Sequence, residues 1–260
     1  MPIVTLTTDF GTKDYYSAIL KGAMLCHCET LNIVDISHHI KTFDIVQAAF
    51  TIKSAYTHFP KGTIHVVSVN NCYAETVRFL VAKYRDYYFI GPDNGVFSLI
   101  MEQISEIQAI YVLENEESNN IFSFKNVFAK AVGHLANGLA LETIGTPTTI
   151  TDITKRISIH PVTTPLRIRG TIIHIDNYEN AITNIHQTLL ERIADGRSIR
   201  LFFKRHDPIT TLCERYSEVA VGENLCLFNS SHYLEIAINM GKAASMLGLS
   251  EGDTVEVEFY

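Results

Sequence analysis

From Ile3 to Ala136 the chain alternates short β-branched runs with stretches whose apolar residues recur at helical spacing. That alternation confines it to a layered arrangement of strands and crossover helices. Ile3–Thr7 reads as a strand that ends in Thr8-Asp9-Phe10-Gly11, and Tyr15–Cys26 as a helix with Asp14 at its N-cap. Leu31–Ile36, Thr63–Val69 and Tyr87–Ile90 read as further strands, and Phe43–Phe59 as a helix closed by Pro60-Lys61-Gly62. Val127–Ala136 reads as a helix with Asn126 as N-cap and Asn137-Gly138 as its stop. The expectation is an α/β N-terminal domain with a mainly parallel sheet.

After Pro147 the texture changes. Leu166–Ile175, Ser198–Phe203, Glu218–Val221, Asn224–Phe228, Tyr233–Ile238 and Thr254–Phe259 are short β-rich runs separated by turns, interrupted by one helix at Thr188–Ala194. This pattern suits a small all-β C-terminal barrel. Two domains are expected, over residues 1–160 and 166–260, with the boundary at 155–167 where Pro161 and Pro165 fall.

Composition narrows the function classes. The formal net charge is -7 and no Lys/Arg block stands out, which argues against nucleic acid and anionic membranes as partners. The N-terminus lacks the basic start and apolar core of a signal peptide, and no apolar run approaches the ~20 residues of a membrane helix. The five cysteines (Cys26, Cys28, Cys72, Cys213 and Cys226) have no framework spacing, so free thiols in a cytoplasmic protein are expected. Cys26-His27-Cys28 is too tight for the usual paired-thiolate zinc spacing, and no metal is expected. There is no G-x-G-x-x-G, no phosphate-binding G-x-x-x-x-G-K-[ST], no G-x-S-x-G and no H-E-x-x-H. His38-His39 reads as a surface turn, since adjacent side chains diverge.

Three segments are dense in small polar residues near strand ends, where open α/β sheets bind ligands. In Thr7-Thr8-Asp9-Phe10-Gly11 the carboxylate would accept hydrogen bonds from a ribose diol or cap the next turn. Asp176-Asn177-Tyr178-Glu179-Asn180 suits a docking edge or an Asx-rich turn. Asn229-Ser230-Ser231 is a turn leading into the strand Tyr233-Leu234-Glu235-Ile236-Ala237.

Together these segments resemble the S-adenosyl-L-methionine hydroxide adenosyltransferases, relatives of the fluorinase and chlorinase. The similar stretches are TTDFG followed by KGAM, then IVDISHHI, FIGPDNG, AVGHLANG, IDNYENAITNI and NSSHYLEIAINMGKAASMLGL. They occur in family order across both halves of the chain. The resemblance implies an α/β domain followed by a β-barrel, and a homo-oligomer, usually a trimer, with its sites at subunit interfaces. It also implies attack of water or halide on the ribose 5′ carbon of a small-molecule substrate, with no metal or organic cofactor. By the same resemblance Asp9 would hold the ribose hydroxyls, and Phe43 would stand near the nucleophile pocket. Asp176 would pair with the methionine ammonium and Ser230 would lie near its carboxylate. Asn180 would read the adenine edge, Tyr178 would border the base, and the backbone of Met240 would contact adenine.

The positions that would do the chemistry depart from the family pattern. Hydrolytic members usually carry an Asp in V-V-D-P-G-V-G, an Arg seven or eight residues on, and a His in F-H-G-R-D. Here Asn70 falls at the Asp position (or Ser68, with the alignment slid by two), Arg78 is retained, and Ser123 stands where the His would be. An Asn can orient water but cannot take its proton. His65 is a conceivable substitute base or a packed strand residue, and Arg78 either orients the nucleophile or is an exposed charge. Two readings follow: hydrolysis of S-adenosyl-L-methionine to adenosine and L-methionine, or binding of that molecule or adenosine without cleavage. A halogenase is disfavoured because no halide pocket is evident.

Overall fold

The computed structural model describes residues 1–72, 74, 77–114 and 122–260, so Tyr73, Glu75 and Thr76 of the loop before Arg78 lie outside the described residues. The chain divides into two compact units, Met1–Ile157 and Ser158–Tyr260.

In the first unit the elements run β1 (Ile3–Thr8), α1 (Tyr16–His27), β2 (Asn32–Ser37), α2 (Ile45–Ala55), β3 (Ile64–Ser68), β4 (Phe79–Tyr84) and β5 (Tyr87–Pro92). They continue with α3 (Val96–Ile100), β6 (Ile107–Leu113), α4 (Phe124–Ala136) and β7 (Gly145–Thr148). The seven strands form one sheet in the order β2-β1-β3-β5-β4-β6-β7. Strand alternation divides its two cores: Val66 packs with Leu20, Met24 and Phe128 on one face, and Val67 with Ala48, Ile52 and Phe97 on the other. β3 is buried along its whole length, as a central strand must be.

The sheet is mixed, which corrects the expectation of a mainly parallel one. β1–β2, β1–β3 and β3–β5 are parallel, but β4 pairs antiparallel with β5 and β6, and β6 with β7. The hairpin between β4 and β5 turns through only Arg85 and Asp86, at φ 48° and 65°. Such a turn ordinarily announces itself by Asn-Gly or Asp-Gly, and Arg-Asp gives no such signal. Helix starts also shift. α1 begins at Tyr16 with no side-chain cap from Asp14, whereas Asp44 caps α2 by accepting from the Val46 and Gln47 amides at 3.1 and 2.9 Å. α4 begins at Phe124, before the expected cap Asn126, because Phe124 is buried among Phe79, Phe122 and Phe128.

The second unit contains β8 (Val162–Thr164), β9 (Arg167–Ile175), β10 (Ala181–His186), α5 (Gln187–Ala194), β11 (Ile199–Phe203) and β12 (Leu212–Cys213). It ends with β13 (Asn224–Phe228), β14 (Tyr233–Ile238), α6 (Ala243–Leu247) and β15 (Thr254–Phe259). The order β11-β15-β9-β10-β14-β13-β12, with β8 added to β9, gives a nearly closed sheet around Ile168, Ile185, Leu201, Leu234, Ile236 and Val257. The expected strand at Glu218–Val221 is instead a 3-10 turn at Tyr216–Glu218 followed by a loop. There the Val219 carbonyl accepts from Asn239 Nδ2 at 2.8 Å. No described helix is long and apolar enough to cross a membrane.

Candidate functional site

β1 has β2 on one side and β3 on the other, and the chain leaves it through α1 on one face and reaches β3 through α2 on the opposite face. The strand order therefore reverses between β1 and β3, which makes the C-terminal ends of these strands the position at which open α/β sheets have their ligand crevice. Asp9 is the first residue after β1 and Asn70 the second after β3. The Asp9 Oδ2 atom accepts the backbone N–H of Phe43 at 3.0 Å and of Asn70 at 3.2 Å. Among the described residues its Oδ1 carries no hydrogen bond, so a hydroxyl donor would find an acceptor there.

The two amides reach that oxygen because their residues adopt left-handed backbone, φ 68° at Phe43 and 52° at Asn70. Asparagine tolerates this conformation, whereas for phenylalanine it is an outlier that costs on the order of 1–3 kcal/mol. The Phe43 ring is left 68% exposed. Asn94 then anchors the Asn70 loop, its Nδ2 donating to the carbonyls of Val69 and Asn70 at 2.9 and 3.2 Å. Ser68, the other residue that could occupy the family's Asp position, is fully buried in β3 and accepts from Asn71 Nδ2 at 3.0 Å.

Arg78 is not a free charge, and the contacts that hold it fall on one guanidinium nitrogen. Its Nη2 lies 2.7 Å from Asp93 Oδ2 and donates to the Asp152 carbonyl at 3.1 Å. Asp93 is buried, and its other oxygen accepts the Thr154 amide at 2.7 Å. The sequence reading overlooked Asp93, although its place in the turn Pro92-Asp93-Asn94-Gly95 was a signal. Ser123 immediately precedes α4 and makes no capping bond. Its neighbours Phe122 and Phe124 pack on Phe10 at ring separations of 5.8 and 6.3 Å, which ties that turn to the Asp9 loop.

Of its two expected roles His65 takes the packed one, and His38 departs from its expected place in a surface turn. His65 sits mid-strand, with Nδ1 2.7 Å from Thr5 Oγ1 and the rings of Tyr56, Phe59, Tyr87 and Phe89 around it. Burial pushes its pKa down to about 4, and it is a packed residue, not a base at the crevice. His38, expected in a surface turn, is only 5% exposed, and its Nδ1 lies 2.8 Å from Thr8 Oγ1.

In the second unit Asp176 organises the turn between β9 and β10. Its Oδ1 accepts the amides of Tyr178 and Asn180 at 2.9 and 2.8 Å, and its Oδ2 accepts Asn180 Nδ2 at 3.2 Å. This is the Asx-turn geometry, and it presents the Tyr178 ring 75% exposed. Glu179 ties the turn to the segment after β14. Its carbonyl accepts the Ala244 amide at 2.8 Å, and its carboxylate pairs with Lys242 at 2.7 Å and bonds Ser245. Met240 lies in that segment, 88% exposed at φ 55°. Ser230 lies beyond the opposite end of β14, so a ligand touching both Ser230 and Met240 would have to extend along the strand.

Sequence reasoning also passed over Glu235. It is 2% exposed, takes the Tyr216 hydroxyl at 2.7 Å, and burial pushes its carboxyl pKa up. Only its placement in an apolar strand hinted at a special role. Among the described residues no group of three or more His, Cys, Asp or Glu is placed to hold a metal ion.

Comparison with known proteins agrees with the residue pattern. The SAM hydroxide adenosyltransferase N-terminal domain matches residues 4–145, and the corresponding C-terminal domain matches residues 170–256. The chain is 29% identical to the (R)-S-adenosyl-L-methionine hydrolase of Methanocaldococcus jannaschii, over 99% of this chain and 96% of that protein. It is 26% identical to a fluorinase of Actinoplanes sp., over 98% and 97% of the two chains. A crystal structure from Thermotoga maritima, described as an uncharacterized conserved protein, superposes with a TM-score of 0.87 at 27% identity, covering 98% of this chain and 99% of that one. With both domain types matched in order along most of its length, the chain belongs to the SAM hydroxide adenosyltransferase family.

Proposed function

We propose that the protein hydrolyses S-adenosyl-L-methionine to adenosine and L-methionine. Water attacks the ribose 5′ carbon, the carbon–sulfur bond breaks, its electron pair returns to the sulfonium to give the neutral thioether of methionine, and one proton passes to solvent. The observation that carries this reading is the Asp9 carboxylate at the strand-order reversal. One oxygen is braced by two amides and the other is open to a ribose diol.

The chemistry asks little of a strong base. A sulfonium is a good leaving group and its displacement neutralises charge, so the protein's task is to align water with the carbon–sulfur bond and to strip other water away. Asn70 and Ser123, at the positions of the usual Asp and His, would supply hydrogen bonds to that water without taking its proton. Neither step calls for a metal or organic cofactor. Asp176 would meet the methionine ammonium, Asn180 the adenine edge with Tyr178 beside it, Ser230 the methionine carboxylate, and the Met240 backbone the base. Arg78 would act through Asp93 by holding the crevice wall.

The same reading has the protein working in the cytoplasm as a homotrimer whose sites are completed at subunit interfaces and whose second unit is a barrel. In support, Phe43, Tyr178 and Met240 expose large apolar side chains that a ligand or a second copy would cover, and the free cysteines suit a reducing compartment.

The test is turnover in ¹⁸O-labelled water, with and without chloride and with both sulfonium epimers. Adenosine and methionine are expected in equal amounts, with the label in the adenosine 5′ hydroxyl and no chlorinated nucleoside. Binding without product would replace hydrolysis with sequestration of the ligand.

A further inference from the structure

We propose that His38 is a positioning residue for ribose recognition, fixing the peptide that follows Asp9 through the Thr8 hydroxyl. The proposal rests on the reading that Asp9 accepts the ribose hydroxyls.

The geometry is a chain of polar contacts running from the surface to the crevice. Lys21 Nζ lies 2.6 Å from Asp35 Oδ2, Asp35 Oδ1 lies 3.1 Å from His38 Nε2, and His38 Nδ1 lies 2.8 Å from Thr8 Oγ1. The Nε2 contact lacks the alignment of a straight hydrogen bond, so Asp35 favours a proton there chiefly by its charge. Burial holds the His38 pKa below its ordinary value, against the opposing pull of Asp35. The ring is therefore neutral near pH 7, with its proton on Nε2 and a bare Nδ1. The Thr8 hydroxyl must then donate to Nδ1, which leaves its lone pairs for the Phe10 amide, 3.4 Å away.

Backbone contacts complete the clamp. The His38 carbonyl accepts the Gly11 amide at 2.7 Å, and the Thr8 carbonyl accepts the Ile40 amide at 3.3 Å. Asp9 is thus flanked on both sides by residues tied to the His38 segment, while its own Oδ2 is braced by Phe43 and Asn70. A carboxylate held at both the peptide and the side chain is pre-organised for a diol, so less binding energy is lost in ordering it.

The molecule supplies its own control. Thr5 and His65 form the same hydroxyl–imidazole pair at 2.7 Å, also between β1 and a neighbouring segment, but mid-strand and inside an aromatic cage. A His65 substitution should lower stability without discriminating between ribose analogues.

The experiment measures calorimetric affinity for adenosine and for 2′,3′-dideoxyadenosine in the wild type and in His38→Ala, His38→Asn, His65→Asn and Asp9→Asn. His38→Ala is expected to weaken adenosine binding about tenfold and to leave the dideoxy ligand within about twofold. His38→Asn, whose side-chain oxygen can still accept from Thr8, should recover most of the loss. With S-adenosyl-L-methionine, KM should rise in His38→Ala while kcat stays within about threefold. An equal loss for both ligands would make His38 a packing residue only and overturn the proposal, as would no loss for either. If His38→Ala does not fold, adenosine binding by His38→Asn as weak as that of Asp9→Asn overturns it. If Asp9→Asn leaves the discrimination intact, the ribose reading itself fails, and the proposal falls with it.

Discussion

One nitrogen of the Arg78 guanidinium, Nη2, meets both the buried Asp93 carboxylate and the Asp152 carbonyl. Removing the cation would leave Asp93 charged and buried. Arg78→Ala is therefore expected to lower unfolding free energy by about 1–3 kcal/mol in urea titration, the partial exposure of Arg78 screening the full effect of a buried pair. Arg78→Lys, which keeps the charge, should lose less than half of that. Turnover lost in Arg78→Ala and restored in Arg78→Lys would report the ion pair with Asp93, whereas turnover lost in both would report a guanidinium that orients the nucleophile. At this scale the sequence showed the residue types at the crevice but not their conformations. Nothing in Thr42-Phe43-Asp44 signals a left-handed backbone, and Asn70 only permits one, because the conformation is held by Asp9 and Asn94, residues distant along the chain. Asp93 was hidden similarly: its partner Arg78 lies on the far side of the β4–β5 hairpin.

Helices α1 and α4 approach each other at Gly133, where an added Cβ would stand 2.4 Å from the His27 Cβ. Alanine is the better helix former by about 1 kcal/mol, yet the backbones would have to spread to admit it. Gly133→Ala is therefore expected to destabilise the protein by about 1–3 kcal/mol, read as a lower denaturant midpoint at unchanged slope. An increase in stability would mean that the two helices are not in contact. Elements with strong periodicity, such as α2, were legible in the sequence apart from a few residues at their ends, although the Asp44 cap was not. The β4–β5 hairpin was not, since its Arg85-Asp86 turn relies on tertiary pairing to hold two positive-φ residues. That turn reverses β4, and with the antiparallel return of β7 along β6 it makes a sheet expected to be mainly parallel a mixed one.

For the whole molecule, acid stability follows from the buried imidazoles. The folded-state pKa of His65 is depressed to about 4 from an ordinary value near 6.5, and that of His38 is also lowered. The unfolded chain therefore binds protons first as the pH falls. Stability is fully present above about pH 6.5 and is lost as the pH drops toward 4, by up to about 3 kcal/mol from His65. Chemical denaturation between pH 7 and 4 should show this decline, and His65→Asn should flatten most of it. A slope unchanged in the variant would assign the acid sensitivity to other groups.

The sequence by itself determined the alternation of strands and helices, the change to short strands after Pro147, and the ordered segments that mark the family. These depend on local periodicity and on residue types at turns, which a chain displays without being folded. Only the tertiary structure decided that β4 runs antiparallel to β5, that Arg78 is held by Asp93, and that His38 is buried against Thr8 while His65 is caged. Each of these depends on partners that the fold brings together. A side chain's charge, strain and exposure are set by those partners, not by its neighbours along the chain.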